Sequence, residues 1–417
     1  MSGTLLLRGA RQLITLRGPA EPRRGSDLKE LGIIRDGALL IENGRIVEVG
    51  LSRRVENLAS AHRAEEIDAT GHVVMPGFVD CHAHLVCGAP SFDDYEEGVS
   101  GGEGLAHGTR STVRVLRSAS AKRLESRTRQ FVNGMIRHGT TTLEAKSGYG
   151  LDERGELKVL RVQANLHRAP LDVASTFLTP RTIPTDHADD PAGYFAWVCS
   201  ELLPAIHRRR LARFAELYYG GAFNMQQSHR YLEAARSLGF QFKIHAGEYA
   251  ASDAVRLAVD AGAASVECTN AASPVDVDLL ARSNTMAVLL PGPAFHDCNG
   301  RIAYVRQLID GGAAVALGTN FDPTVNSTYS MPAIVALACA DLGMSPAEAI
   351  CAATFNAACA IGWGHVAGSL EVGKPADLIV LNASDYREIP YRFGVNLVGR
   401  TVKRGVTIYQ EGKVGGW

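Results

Sequence analysis

The middle of the chain alternates between short apolar runs and longer amphipathic ones. VVMPGFVDCHAH, GTTTLEAKSG, VASTFLTPR, RFAELYYG, FQFKIHAG, ASVECTN, TMAVLLPG and AAVALGTN are apolar or β-branched, as strands are. Between them lie segments such as AKRLESRTRQFVNGMIRHG, SHRYLEAARSLG, ASDAVRLAVDAG and RIAYVRQLIDGG. These carry apolar residues at helical spacing and end in Gly, a common helix stop. Eight such repeats predict an α/β fold, a (β/α)₈ TIM barrel. The two chain ends read differently. TLLLRGARQLITL, GALLIENGRIVEVG and AEEIDATGHVVMPG at the start are short alternating segments, with an Asn-Gly hairpin turn in the second. GSLEVGKPADLIVLN and NLVGRTVKRGVTIYQ at the other end repeat this character. The expected organisation is a composite β-sandwich from residues 1–72 and 364–417, with the barrel at 73–363.

Composition narrows the function classes. Lys+Arg at 43 against Asp+Glu at 44 gives no basic excess for nucleic acid. No run approaches the roughly 20 apolar residues of a membrane span. The first residues lack the pattern of a signal peptide. The eight cysteines form no CxxC pair, so reduced thiols in a cytoplasmic protein are expected. Neither nucleic acid nor membrane is an expected partner. A small molecule is.

Barrel enzymes carry their reactive groups at the C-terminal strand ends. Those ends offer His82 and His84, Glu144 and Lys146, Arg181, Tyr219, His245 with Glu248, Cys268, and Asn320 with Asp322. Residues two apart in a strand share a face, so His82 and His84 converge. With His245 across the mouth they suit zinc or iron. Glu248 is placed as a general base beside the ion.

PGFVDCHAHL, TTLEAKSGYGL with the following ELKVLRV, KIHAGE, and MSPAEAICAATFNAACAIGWGHVAGSLEVGKPADLIVL resemble the metal-dependent amidohydrolase superfamily. Within it the chain is most similar to the imidazolonepropionase family, from about residue 40 to the C-terminus. The resemblance implies one divalent metal held by His82, His84 and His245, with Glu248 contacting the attacking water and Tyr149 the substrate. It implies a small cyclic amide as substrate, hydrolysis at a C–N bond, and a homodimer. Tyr219, where dinuclear relatives carry a bridging group, implies a single metal.

Four positions depart from the family's pattern. Its eighth strand ends in Gly-Thr-Asp, and this chain has Gly318-Thr319-Asn320. Asn320 can offer the metal a neutral oxygen but cannot accept a proton, so weaker metal binding and altered hydrolysis are expected. A sixth-strand His is replaced by Cys268, read as a soft ligand, a nucleophile or a small filler. A third-strand His is replaced by Arg181, either a carboxylate-binding fork or a rim residue paired to Asp186. The Arg that follows the paired histidines is missing from VCGAPSFDD. Asp322 is a second candidate for the missing carboxylate, though the Pro323 after it stiffens the loop. Glu144 and Lys146 are read as pointing to opposite sides of their strand, with Lys146 toward the substrate. His107, in a Gly-rich loop, is a candidate lid residue. Two alternatives stay open: a non-hydrolytic cyclisation, isomerisation or lyase reaction, and a metal-poor pseudoenzyme that binds a ligand.

Overall fold

The computed structural model describes residues 3–88, 92, 96, 112–168, 170–246, 251–267, 273–292, 304–323 and 326–412. Seven strands precede the barrel: β1 (Thr4–Ala10), β2 (Gln12–Ile14), β3 (Ile33–Ile34), β4 (Gly37–Glu42), β5 (Arg45–Leu51), β6 (Glu65–Asp68) and β7 (Val73–Pro76). Eight parallel strands form it: β8 (Phe78–Ala83), β9 (Thr140–Lys146), β10 (Asp172–Leu178), β11 (Phe214–Tyr219), β12 (Gln241–Ala246), β13 (Ser265–Glu267), β14 (Met286–Leu289) and β15 (Val315–Leu317). Three more close the chain: β16 (Leu378–Leu381), β17 (Val398–Lys403) and β18 (Val406–Gln410).

The end strands make two sheets, ordered β5-β4-β1-β6 and β18-β17-β16-β7-β2-β3. The second mixes strands from both ends of the chain. Leu13, Leu39, Val74, Leu378 and Val402 share one apolar cluster drawn from the two sheets. Asn43 and Gly44 both have positive φ, and Glu42 pairs with Arg45 across them, so the Asn-Gly signal is a two-residue hairpin turn. The stretch expected as one strand, VVMPGFVDCHAH, is two. Its first half, β7, pairs with β16 and β2 and so belongs with the end sheets; Gly77 separates it from β8.

Barrel strands β8 to β13 carry polar side chains inward near their C-terminal ends, while β14 and β15 are apolar throughout. On β11, Ala215, Leu217 and Tyr219 pack into the helical layer, and Glu216 and Tyr218 face inward. Helices are placed by local caps: Asp152 accepts from Gly155 N–H at the start of helix Glu153–Leu166, and Asn224 with Gln227 forms a capping box. The end sheets grip the N-terminal side of the barrel through Lys403, whose ammonium lies 2.8 Å from Asp172 and 2.6 Å from Asp377. The opposite face is left for chemistry.

The barrel closes where β15 runs on beside β8. Asn320 N–H donates to His82 O at 2.9 Å, and His84 N–H donates to Phe321 O at 2.7 Å. Gly318 permits this approach, since a Cβ there would stand 3.0 Å from the His82 Cβ. The paired histidines and the Gly-Thr-Asn segment thus form one seam.

Candidate metal centre

His82 lies inward on β8 and His84 follows one layer higher, with their Nε2 atoms 3.3 Å apart. His245, at the end of β12, places its ring 5.3 Å from that of His82. All three are buried. Burial lowers the pKa of each, that of His84 to about 4 and that of His82 well below the usual histidine value. They are therefore neutral at pH 7, the form that binds metal. Two nitrogens on one tetrahedral zinc at about 2.05 Å stand roughly 3.3–3.4 Å apart, so the His82–His84 spacing fits a shared ion. His84 Nδ1 is buried with no hydrogen-bond partner among the described residues.

Beneath the histidines lies a fully buried carboxylate, Glu267 of β13. Its Oε2 is hydrogen-bonded to His245 Nδ1 at 2.8 Å and lies 2.6 Å from His82 Nδ1. The His82 approach is out of line for a ring N–H donor, so that contact is a close polar approach rather than a hydrogen bond. Its other oxygen accepts from Lys146 Nζ at 2.9 Å. Holding His245 through Nδ1 presents Nε2 to an ion, as carboxylates behind metal-bound histidines do. Burial alone raises the Glu267 pKa, but His82, Lys146 and His245 outweigh it and hold the carboxyl well below its usual range.

Lys146 is also bonded to Glu216 at 2.5 Å and lies 3.3 Å from Glu144, which in turn accepts from Lys243 at 2.6 Å. Burial works against its charge, but Glu144, Glu216 and Glu267 raise its pKa well above that of a free lysine. Burial, with the charge of Glu267 added, pushes Glu216 well above the carboxylate range. His82, Glu216, His245 and Glu267 offer donor atoms within 4.8 Å of one another, a second grouping able to hold a cation. The ammonium of Lys146 against both glutamates makes the Nε2 side of the histidines the better place. Two expectations are corrected here. Glu144 and Lys146 are two residues apart and face the same way, and Lys146 is too deeply buried to line the substrate mouth.

Arg181 donates from Nη2 to Tyr218 OH at 2.7 Å, with its Cζ 4.7 Å over the Tyr218 ring. Tyr218 stacks on His245, centroids 4.9 Å apart at 18°. The guanidinium is therefore held at the rim of the centre. Asp186, its expected bland partner, is taken by Arg117 at 2.6 Å. Tyr219 is corrected in register: it faces outward, its hydroxyl 3.4 Å from Met225 Sδ, and Tyr218 is the residue beside the histidines.

Tyr149 stands over His84, ring centroids 5.4 Å apart, and donates to Asp322 Oδ2 at 2.7 Å. Its loop is fixed by Glu156, a buried carboxylate accepting from the N–H groups of Gly148 (3.1 Å), Gly150 (2.6 Å) and Leu151 (3.1 Å). Arg117 Nε binds Gly150 O at 3.2 Å, and Tyr194 OH binds Leu151 O at 3.1 Å. An amide at 156 loses one acceptor and turns an NH₂ toward backbone donors. Glu156→Gln is expected to lower stability by about 1–3 kcal/mol. It should also loosen Tyr149, raising KM more than it changes kcat. Denaturant melts with steady-state kinetics check this, and an unchanged KM contradicts it.

Asn320 adopts a left-handed backbone at φ 51°, which asparagine tolerates better than most residues. Among the described residues its hydrogen bonds run through its backbone, to His82 O and from Asn326 Nδ2. Glu248, Cys268 and His107 lie outside the described residues. Sequence reading missed Glu267, Glu216, Tyr218 and Glu156.

A barrel with inward histidines at its C-terminal mouth, backed by carboxylates, defines a metal-dependent hydrolase of the amidohydrolase type. Residues 218–408 match the model of the amidohydrolase family. The fold is shared with a zinc-complexed atrazine chlorohydrolase from Arthrobacter aurescens TC1, at TM-score 0.71 and 16% identity over 97% of this chain and 95% of that one. Relatives at higher identity are more specific. Imidazolonepropionase of Geobacillus kaustophilus (strain HTA426) is 39% identical, covering 98% of this chain and 99% of that protein. That of Symbiobacterium thermophilum is 40% identical, covering 98% of each. The chain belongs to the imidazolonepropionase family. Kinship at this level favours hydrolysis over the non-hydrolytic and metal-poor alternatives.

Proposed function

We propose that this protein hydrolyses the ring C–N bond of imidazolonepropionate, using one zinc or iron ion held by His82, His84 and His245. The observation that carries the reading is the 3.3 Å meeting of the His82 and His84 Nε2 atoms at the barrel mouth, with His245 backed by Glu267. When bound, the ion supplies Lewis acidity toward water and the ring carbonyl. The residues do the rest. Glu248 takes the proton from water as its oxygen bonds to the carbonyl carbon. It returns that proton to the ring nitrogen as the C–N bond breaks. Tyr149 packs beside His84 and orients the ring. Arg181, half-buried at the rim, receives the propionate carboxylate as a two-pronged donor. Asn320 adds a neutral oxygen to the centre, and Cys268 replaces the histidine of the family pattern.

The end segments 1–72 and 364–417 form a unit that supports the barrel at 73–363, less β7. The enzyme works in the cytoplasm as a homodimer, a reading supported by its family and its uncrowded cysteines. The test is Glu248→Gln assayed on imidazolonepropionate. Loss of kcat by about 10²–10⁴ is expected for a missing general base. Full residual turnover overturns the assignment.

A further inference from the structure

The resemblance leaves this centre short of one negative charge, since Asn320 stands where an aspartate is expected. The structure supplies a carboxylate one layer higher. Ala83 and Phe321 are bridged in parallel across the closing seam, so Asn320 lies level with His82, and Asp322 level with His84. Phe321 points outward, 5.1 Å from the Phe131 ring and 5.7 Å from the Tyr329 ring. By strand alternation Asp322 then faces inward. It is 2% exposed. A backbone clamp fixes it, with Asp322 N–H to Asn326 O and Asn326 N–H to Asp322 O both at 2.8 Å. The Pro323 that follows therefore accompanies a built turn instead of keeping the carboxylate away.

The surroundings agree with an electrostatic part. Asp322 accepts from Tyr149, whose ring packs on His84. A carboxylate buried this deeply is costly unless positive charge balances it. Tyr149 donates one hydrogen bond to it, and an ion held beside His84 would add positive charge.

We propose that Asp322 is the acidic residue of this metal centre, filling from the His84 layer the charge-balancing place that Asn320 leaves neutral. Asp322 is a positioning residue: it favours retention of the ion and holds Tyr149 over His84. This rests on the His82–His84–His245 centre argued above.

The test is zinc affinity, read by competition with a chromophoric chelator in the full chain. Asp322→Asn should bind zinc at least about tenfold more weakly, in line with other residues that support metal ligands. Asp322→Glu, which keeps the charge, should stay within about threefold of the wild type. The exchange Asn320→Asp with Asp322→Asn should restore affinity to that range. Should D322N not fold, the exchange variant gives the comparison with the wild type. Unchanged zinc affinity in a folded D322N protein with a lowered Tm overturns the inference and leaves a merely structural aspartate. So does an equal loss in D322E and D322N. A wild-type chain that binds no zinc or iron overturns both this inference and the metal reading beneath it.

Discussion

Glu267→Gln is expected to weaken metal binding by ten- to a hundredfold and to lower stability by about 3 kcal/mol. Among the described residues, Glu267 is the side chain that touches both the histidines and the buried lysine. One oxygen serves His245 and His82, the other Lys146, and none of the four residues is more than slightly exposed. A glutamine keeps the shape but turns an NH₂ toward either a ring N–H or an ammonium. The His245 tautomer is then no longer fixed, and Lys146 loses one of three acidic neighbours. Both effects fall on the ion before any substrate arrives. Metal titration and denaturant unfolding of the metal-free protein separate them. If both values stay native, Glu267 neither orients the histidines nor offsets Lys146.

Arg181→Met is expected to raise KM by roughly thirty- to two-hundredfold, with kcat within about threefold. This is the about 2–3 kcal/mol of a hydrogen-bonded, charged recognition contact. Tyr218 already orients the guanidinium through a 2.7 Å bond and the face of its ring, so little freedom is lost when a carboxylate docks. The effect is specific to the anion: Arg181→Lys should recover part of it, lacking the planar fork. A KM unchanged in Arg181→Met places the carboxylate elsewhere.

The barrel was legible because eight apolar strand-like runs recur between helical segments, and the histidines because strand ends are where barrels work. What stayed hidden is explained by register. FAELYY is apolar except at Glu216, because barrel strands are buried on both sides. Its phase puts Tyr218 rather than Tyr219 beside His245, and pairing with β12 sets those two side by side. Glu267 lies at the end of a three-residue strand, beside a cysteine that drew the attention. A signal for it did exist. Asp80, His82, Glu144, Lys146, Glu216, Lys243 and Glu267 are all polar side chains at alternate positions of apolar strands, and that parity marks one inward face. Reading Glu144 and Lys146 as opposed missed it. Asp322 stood as a second candidate with Pro323 counted against it, and its clamp to Asn326 is a contact sequence does not show.

The central claim, hydrolysis of imidazolonepropionate at a metal held by His82, His84 and His245, is tested most directly by stripping the protein with chelator and restoring one equivalent of zinc or iron. Imidazolonepropionate consumption should vanish on stripping, return on reloading, and stay absent in a reloaded His82→Ala variant. Turnover that survives complete removal of metal, or a reloaded wild-type protein that leaves the substrate intact, contradicts the account.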